Sequence, residues 1–328
     1  MTKPVTHSRL KMASTLKTIL AVLATCILLV GCDNRSNETT SNSDNASLQI
    51  VATTGQINAA LRKLTAGTDA HINLFCGPGV DPHSFSASTQ DVQAMLDADL
   101  IIYNGFHLEA KLSEHLHGKF ENKAWSMAST FPETARLDCV EDGEIDPEAP
   151  FDTHIWIHLP GWTQCVEGLA KRLAEADPDH ADTYNKNATA YVAEIMETHT
   201  WAKEKLASLP ANRRTIVSAH DAFKYFANQY GMEADAVLGI GNDPEADIVE
   251  MRRVAGLVCD KKIPAIFMES ITNPKVTQAL KEACQDRNWD VKLVDQPLYS
   301  DDIGAKAPQN TFLGAFKSNV EIIFEALK

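Results

Sequence analysis

The chain predicts an α/β fold of two lobes, each built on a small parallel sheet, joined by one long and rigid backbone helix. Three observations predict it. Short runs rich in apolar and β-branched residues alternate with helical segments, a spacing that suits parallel strands joined by crossover helices. The alternation stops at a glycine-free stretch from Asp177 to about Ser208 and restarts beyond Leu209-Pro210. The body that follows the first 47 residues is long enough to bury two modest cores.

Taken in order, residues 48–54 (LQIVATT) read as a strand that enters a helix from Gln56 to Leu64. Residues 70–76 (AHINLFC) read as a second strand, ending in the turn GPGVDPH. A helix over 88–97 leads to a third strand, DLIIYNG (99–105), and HLEAKLSEHL (107–116) continues as a helix. ARLDCV (135–140) reads as a fourth strand, and the acidic, proline-bearing interval 139–152 as a surface loop. Asp177-Pro178 starts the long helix, with the aspartate as N-cap and the proline at the first helical position. At 1.5 Å per residue that helix spans roughly 45 Å, close to two stacked lobes. Strands over 215–218, 233–238, 265–269 and 291–294 then alternate with helices over 221–230, 244–259, 274–288 and 309–327. The domain layout is therefore a first lobe over 48–176, the linking helix over 177–209 and a second lobe over 210–328.

The N-terminus carries a different message. Lys3, Arg9, Lys11 and Lys17 precede an apolar stretch from Ile19 to Val30, too short for a comfortable membrane span and suited to the core of a signal peptide over 1–31. It ends in Leu29-Val30-Gly31-Cys32, which looks like a bacterial lipobox; cleavage there leaves Cys32 as a lipid-modified N-terminus that anchors the protein. The alternative is an ordinary secretory signal with an incidental cysteine. Residues 33–47 hold no apolar side chain larger than alanine, so with Cys32 they form a flexible tether, 32–47.

The formal charge is −14, and residues 1–31 hold four of the basic residues and no acidic one, so the chain from Cys32 onward carries −18 (26 basic against 44 acidic). That sign argues against nucleic acid and mildly favours cation capture. Beyond Cys26 and Cys32 there are five cysteines, Cys76, Cys139, Cys165, Cys259 and Cys284, with no CxxC to support a thiolate zinc site. Cys259 and Cys284, in consecutive predicted helices, are the favoured disulfide pair.

Four residues sit in metal-friendly contexts: His83 in GPGVDPH, His154 in DTHIW, His220 in SAHDAF and Asp301 in LYSDD. Three imidazoles and a carboxylate make a ligand set for a borderline divalent cation such as zinc or manganese. Each residue has a plainer reading. His83 could be an exposed turn residue, His154 could pack beside Trp156 at a helix start, and an aspartate in a loop is usually solvated. His158 competes with His154 for the ligand role, and Asp302 competes with Asp301. Asp152 could orient the His154 imidazole, Asp221 could cap the helix after His220, and Glu269, at the end of AIFME, could be a fifth oxygen donor or a partner to an imidazole. Two candidates from each half, at strand ends, place a cation in a cleft between lobes.

The segments GPGVDPHSF, NGFHLE, DTHIW, SAHDAFKYFANQYGM, FMESITNP and LYSDD resemble the TroA-like zinc- and manganese-binding lipoproteins of bacterial ABC importers (cluster A-I), over nearly all of residues 48–328. The resemblance implies the helical-backbone metal receptor fold, with His83, His154, His220 and Asp301 as ligands. It implies a transported Zn²⁺ or Mn²⁺, with ferrous iron a third candidate, delivered to an ABC permease and its ATPase subunit by a monomeric, membrane-anchored, extracytoplasmic protein that is not an enzyme. Many manganese receptors have glutamate where His220 stands, so this set is a mixed one. Thr153 replaces the usual proline, and the histidine-rich loop of many zinc-specific relatives is absent, with only His115 and His117 nearby. The rival functions are a secreted zinc hydrolase with Glu269 as base, a surface adhesin on the same fold, and a siderophore or cobalamin receptor. No HExxH supports the first, and the third needs a roomy aromatic or arginine-lined cleft.

Overall fold

Alternation of buried strands with amphipathic helices builds the molecule. The computed structural model describes residues 47–141, 144–145, 147–241 and 247–328. The expected signal peptide, lipidated Cys32 and tether up to residue 46 lie outside the described residues. In the first half, β1 (Gln49–Ala52), β2 (His71–Leu74), β3 (Leu100–Tyr103) and β4 (Ala124–Ser126) form an all-parallel sheet in the order β2-β1-β3-β4. α1 (Gly55–Leu64) and α2 (Thr89–Asp97) are crossovers. α2 starts at a capping box in which Ser88 and Asp91 satisfy each other's backbone N–H groups.

Two segments in this half depart from the sequence expectation. Residues 107–116 are not one helix: a 3-10 turn over Ala110–Leu112 is followed by a π turn over His115–Lys119. Gly105, Phe106 and His107 all lie in the left-handed region, with φ of 90°, 49° and 67°. The Glu109 carboxylate accepts from the N–H groups of Asn104 and Gly105, which fixes a turn rather than a helix start. The fourth strand is 124–126, too short to stand out as a pattern, and not 135–140. The latter stretch is extended but bonds to residues 150–152, through Cys139 N–H to Pro150 O, Asp152 N–H to Leu137 O and the Asp138–Phe151 bridge. A two-residue ladder, β5 (Val140–Glu141) with β6 (Glu144–Ile145), lies inside the expected acidic loop.

α3 (Leu159–Ala176) has no counterpart in the sequence reading, because Pro160 and Gly161 disguise its start. His158 caps it, with Nδ1 accepting from Gly161 N–H at 2.9 Å. The long helix divides into a 3-10 turn over Pro178–His180 and α4 (Ala181–Ala207), about 40 Å in length. Asp177 makes no capping bond; its carboxylate accepts from the Tyr184 hydroxyl at 2.6 Å and pairs with His180 Nδ1 at 2.7 Å. Tyr184, Ala188, Tyr191, Ile195, Thr198, Ala202 and Leu206 form a buried stripe spaced by three and four residues along α4. It packs on α3, on α1 and on α8 (Phe312–Leu327).

The second half repeats the theme with β7 (Thr215–His220) parallel to β8 (Glu233–Leu238), and β9 (Ala265–Glu269) parallel to β10 (Lys292–Leu298). β9 runs beside β7. α5 (Lys224–Tyr230), α6 (Ile248–Asp260) and α7 (Pro274–Gln285) connect them. One apolar core runs from Leu48 in the first half through α3 and α4 to Leu327. A second, around Val217, Val254, Ile266 and Leu280, serves the β7–β9 side.

Candidate metal centre

The C-terminal ends of strands supply three of the four candidate ligands. His220 is the last residue of β7 and does not open a helix, which begins four residues later at Lys224. Asp221 therefore caps nothing and pairs with Lys224. His83 lies in the loop after β2, and Asp301 in the loop after β10. His154 is the exception: it stands before a 3-10 turn over Ile155–Ile157, just ahead of α3. The four residues meet. One ligand atom from each lies within 4.8 Å of the others. His154, His220 and Asp301 are fully buried, and His83 keeps 7% of its side chain exposed.

Asp301 turns both oxygens inward. Its Oδ2 is 3.3 Å from His83 Nε2 and 3.2 Å from His220 Nε2, and its Oδ1 is 3.4 Å from His154 Nε2. None of these contacts has hydrogen-bond geometry: the three Nε2 atoms and both Asp301 oxygens are buried without a partner. Five orphaned polar atoms at one point cost several kcal/mol unless something binds them, because each has lost water and gained no bond. A divalent cation is the occupant that suits all five at once, since imidazole nitrogen and carboxylate oxygen are both donors to zinc-like metals.

A second layer orients the rings. His154 Nδ1 is 2.7 Å from Asp152 Oδ1, which also accepts from the His154 backbone N–H at 2.9 Å. His220 Nδ1 is 2.5 Å from Glu269 Oε2. Glu269 Oε1 accepts from the N–H groups of Ala219 and His220, both at 2.9 Å. A carboxylate on Nδ1 leaves Nε2 facing the site. Burial alone lowers the pKa of His154, but Asp152 and Asp301 outweigh it and raise it to about 9. Burial likewise opposes and is outweighed at His220, where Glu269 and Asp301 hold the imidazole well above its ordinary value. Asp301 goes the other way: burial would raise it, yet His220 and His154 hold it well below the usual carboxylate range. A bound cation takes over the role of those protons, so binding releases them.

The alternatives left open by the sequence resolve geometrically. His158 is away from the cluster: Nδ1 caps α3 and Nε2 meets Gln229 at 2.6 Å. Asp302 points elsewhere too, accepting from Gly79 N–H at 2.8 Å and from the Ser270 hydroxyl. That carboxylate ties the His83 loop to the Asp301 loop, a role the Asp301-Asp302 pair did not reveal. Trp156 donates Nε1–H to Ser300 O at 2.8 Å and sets its ring edge-on to His154, with centroids 5.3 Å apart. Asn104 Nδ2 donates to Thr153 O at 2.8 Å, so the Glu109 turn supports the His154 segment.

The zinc-uptake complex component A periplasmic family (ZnuA) matches residues 50–326. The chain belongs to this family. It is 32% identical over 310 residues to the manganese-binding lipoprotein MntA of Bacillus subtilis, covering 94% of this chain and 98% of that one. It is 34% identical over 281 residues to the zinc-binding protein TroA of Treponema pallidum, covering 85% and 88%. The solved structure of that periplasmic TroA superposes with a TM-score of 0.80 at 33% identity, over 86% of this chain and 99% of TroA. The helical-backbone architecture, two sets of small parallel strands with a long helix between them in sequence, is therefore shared with this ZnuA relative.

Proposed function

We propose that this protein is the extracytoplasmic receptor of a metal-importing ABC transporter. It captures one divalent transition-metal cation, zinc or manganese with ferrous iron as a third candidate, on His83, His154, His220 and Asp301. It then hands the cation to a membrane permease driven by its ATPase subunit. The lobes are residues 48–176 and 210–328, with 177–209 as the linking helix, and the protein works as a monomer anchored through lipid on Cys32. The relatives named for manganese and for zinc support the cargo class. The observation that carries the reading is the convergence of three Nε2 atoms and two carboxylate oxygens, all buried and unpartnered.

The donor set favours holding over catalysis. A catalytic zinc keeps one position open for water, whereas Asp301 turns both oxygens onto the three imidazoles. Glu269, the base that a hydrolase would need, is already engaged with His220 and two backbone N–H groups. The role proposed is therefore that of a carrier and not of an enzyme.

The test is calorimetric titration of chelator-treated protein with zinc and with manganese. One site per chain is expected, and replacing His83, His154 and His220 together by alanine should weaken binding by more than about 100-fold. Unchanged affinity in that triple variant would overturn the assignment.

A further inference from the structure

Cys259 and Cys284 close the C-terminal ends of two neighbouring helices, α6 and α7, and serve no part of the cation site. Cys259 and Cys284 are both free thiols here. In this pair the Cys259 thiol donates to the Cys284 carbonyl oxygen at 3.9 Å, which sets the two residues against each other across the α6–α7 contact. Cys284 is fully buried and Cys259 half-buried, so one sulfur can be reached from solvent and the other is shielded behind it. The apolar wall around them includes Val258, Ile263, Leu280 and Val291. Burial, with the neighbouring Cys259 adding to it, pushes the Cys284 thiol up to about 12, and the Arg287 charge opposes this only in part.

We infer that Cys259 and Cys284 form a disulfide-closing site that staples α6 to α7. The compartment in which it closes rests on the extracytoplasmic reading above, since disulfides persist in oxidising surroundings and two adjacent thiols stay reduced in the cytosol. The oxidant is a disulfide donor, either an oxidised exchange protein or a small-molecule disulfide. The Cys259 thiolate attacks one sulfur of the donor, forms a mixed disulfide and expels one donor thiol. The Cys284 thiolate then attacks Cys259 Sγ, forms the protein disulfide and expels the second donor thiol. Two electrons pass to the donor, and the two cysteine protons end on the two released thiols. Cys284 is shielded from solvent while Cys259 is reachable, which suits Cys284 to the second, intramolecular step.

The topology isolates this staple from the cation. α6 ends just before β9 begins, and α7 ends just before β10 begins, so the pair lies at the N-terminal edge of these strands. His220 and Glu269 lie at the opposite, C-terminal ends of β7 and β9.

The experiment uses the full chain, purified in detergent under reducing conditions, then exposed to oxidised glutathione, blocked with a maleimide and mapped by peptide mass spectrometry. A linked peptide containing Cys259 and Cys284, about 2 Da lighter than the two reduced halves, is expected. Cys259→Ser abolishes it and Cys165→Ser leaves it; should Cys284→Ser fail to fold, Cys259→Ser carries the comparison alone. Both cysteines recovered with maleimide, or a glutathione adduct that persists on Cys259, would overturn the proposal. Zinc titration of the oxidised and reduced forms reads the receptor function separately, because the linked peptide forms or fails to form whatever the zinc result. Affinities within about twofold of each other are expected from the separation of the two sites.

Discussion

At the centre of the site, Asp301 is a carboxylate with no hydrogen bond and three imidazoles. It is kept ionised by His220 and His154 despite complete burial. The two residues that hold those imidazoles, Asp152 and Glu269, contribute without touching the cation. Each fixes Nδ1 so that Nε2 is presented, and Glu269 also satisfies two backbone donors at the end of β7. Asp152→Asn and Glu269→Gln should each weaken zinc binding by about 10- to 100-fold while leaving one site per chain. Competition against a chromophoric chelator checks this; a change below about twofold in both variants would show that ring orientation does not matter here.

Among the elements, the loops that carry His83 and Asp301 are irregular, and their order comes from neighbours. Gln56 and Trp156 donate to carbonyls of the Asp301 loop, and Asp302 ties that loop to Gly79. Trp156→Phe keeps the ring against His154 and removes the bond to Ser300, so zinc dissociation measured by stopped flow should accelerate by about tenfold, the worth of one buried hydrogen bond. His158 makes a different join, between α3 and α5. Burial pushes its pKa down to about 4 against an ordinary value of 6.5. The unfolded chain therefore takes up a proton there that the folded chain refuses, and His158's contribution to stability is lost as pH falls from about 6.5 to about 4. In urea unfolding of metal-free protein at pH 5 and pH 7, His158→Gln should shrink the difference between the two midpoints.

Such joins also explain what the sequence could and could not reveal. The meeting of His83, His154, His220 and Asp301 was legible because each sits in a short motif of turn residues or at a strand end, where side chains gather. β8 and β9 were legible to the residue because Gly231 and Gly239 bracket β8 and the apolar run Ala265–Met268 of β9 follows Pro264. α3 was hidden by Pro160 and Gly161, and the 107–116 segment misled because Leu108, Leu112 and Leu116 keep a helical spacing around a turn set by Glu109. Asp302, Trp156 and Asn104 act through partners far away in sequence, up to 223 residues for the bond from Gly79, and no local pattern carries that information.

Across the whole molecule, a cation bound to ligands from both halves adds its binding energy to folding. At a free metal concentration 1,000 times Kd the gain is about 4 kcal/mol, which for a body of this size raises Tm by about 7 °C. Asp301→Ala should remove most of that rise, and scanning calorimetry with and without zinc measures it. The packing of α4 on α1, α3 and α8 makes it the fixed frame against which the ligand loops are set. The most direct measurement is an anomalous difference map from crystals of the zinc-loaded protein, recorded at the zinc edge. A single strong peak bonded to Nε2 of His83, His154 and His220 and to the Asp301 carboxylate is the expected result. A peak elsewhere, or one that leaves out two of those four side chains, would contradict it.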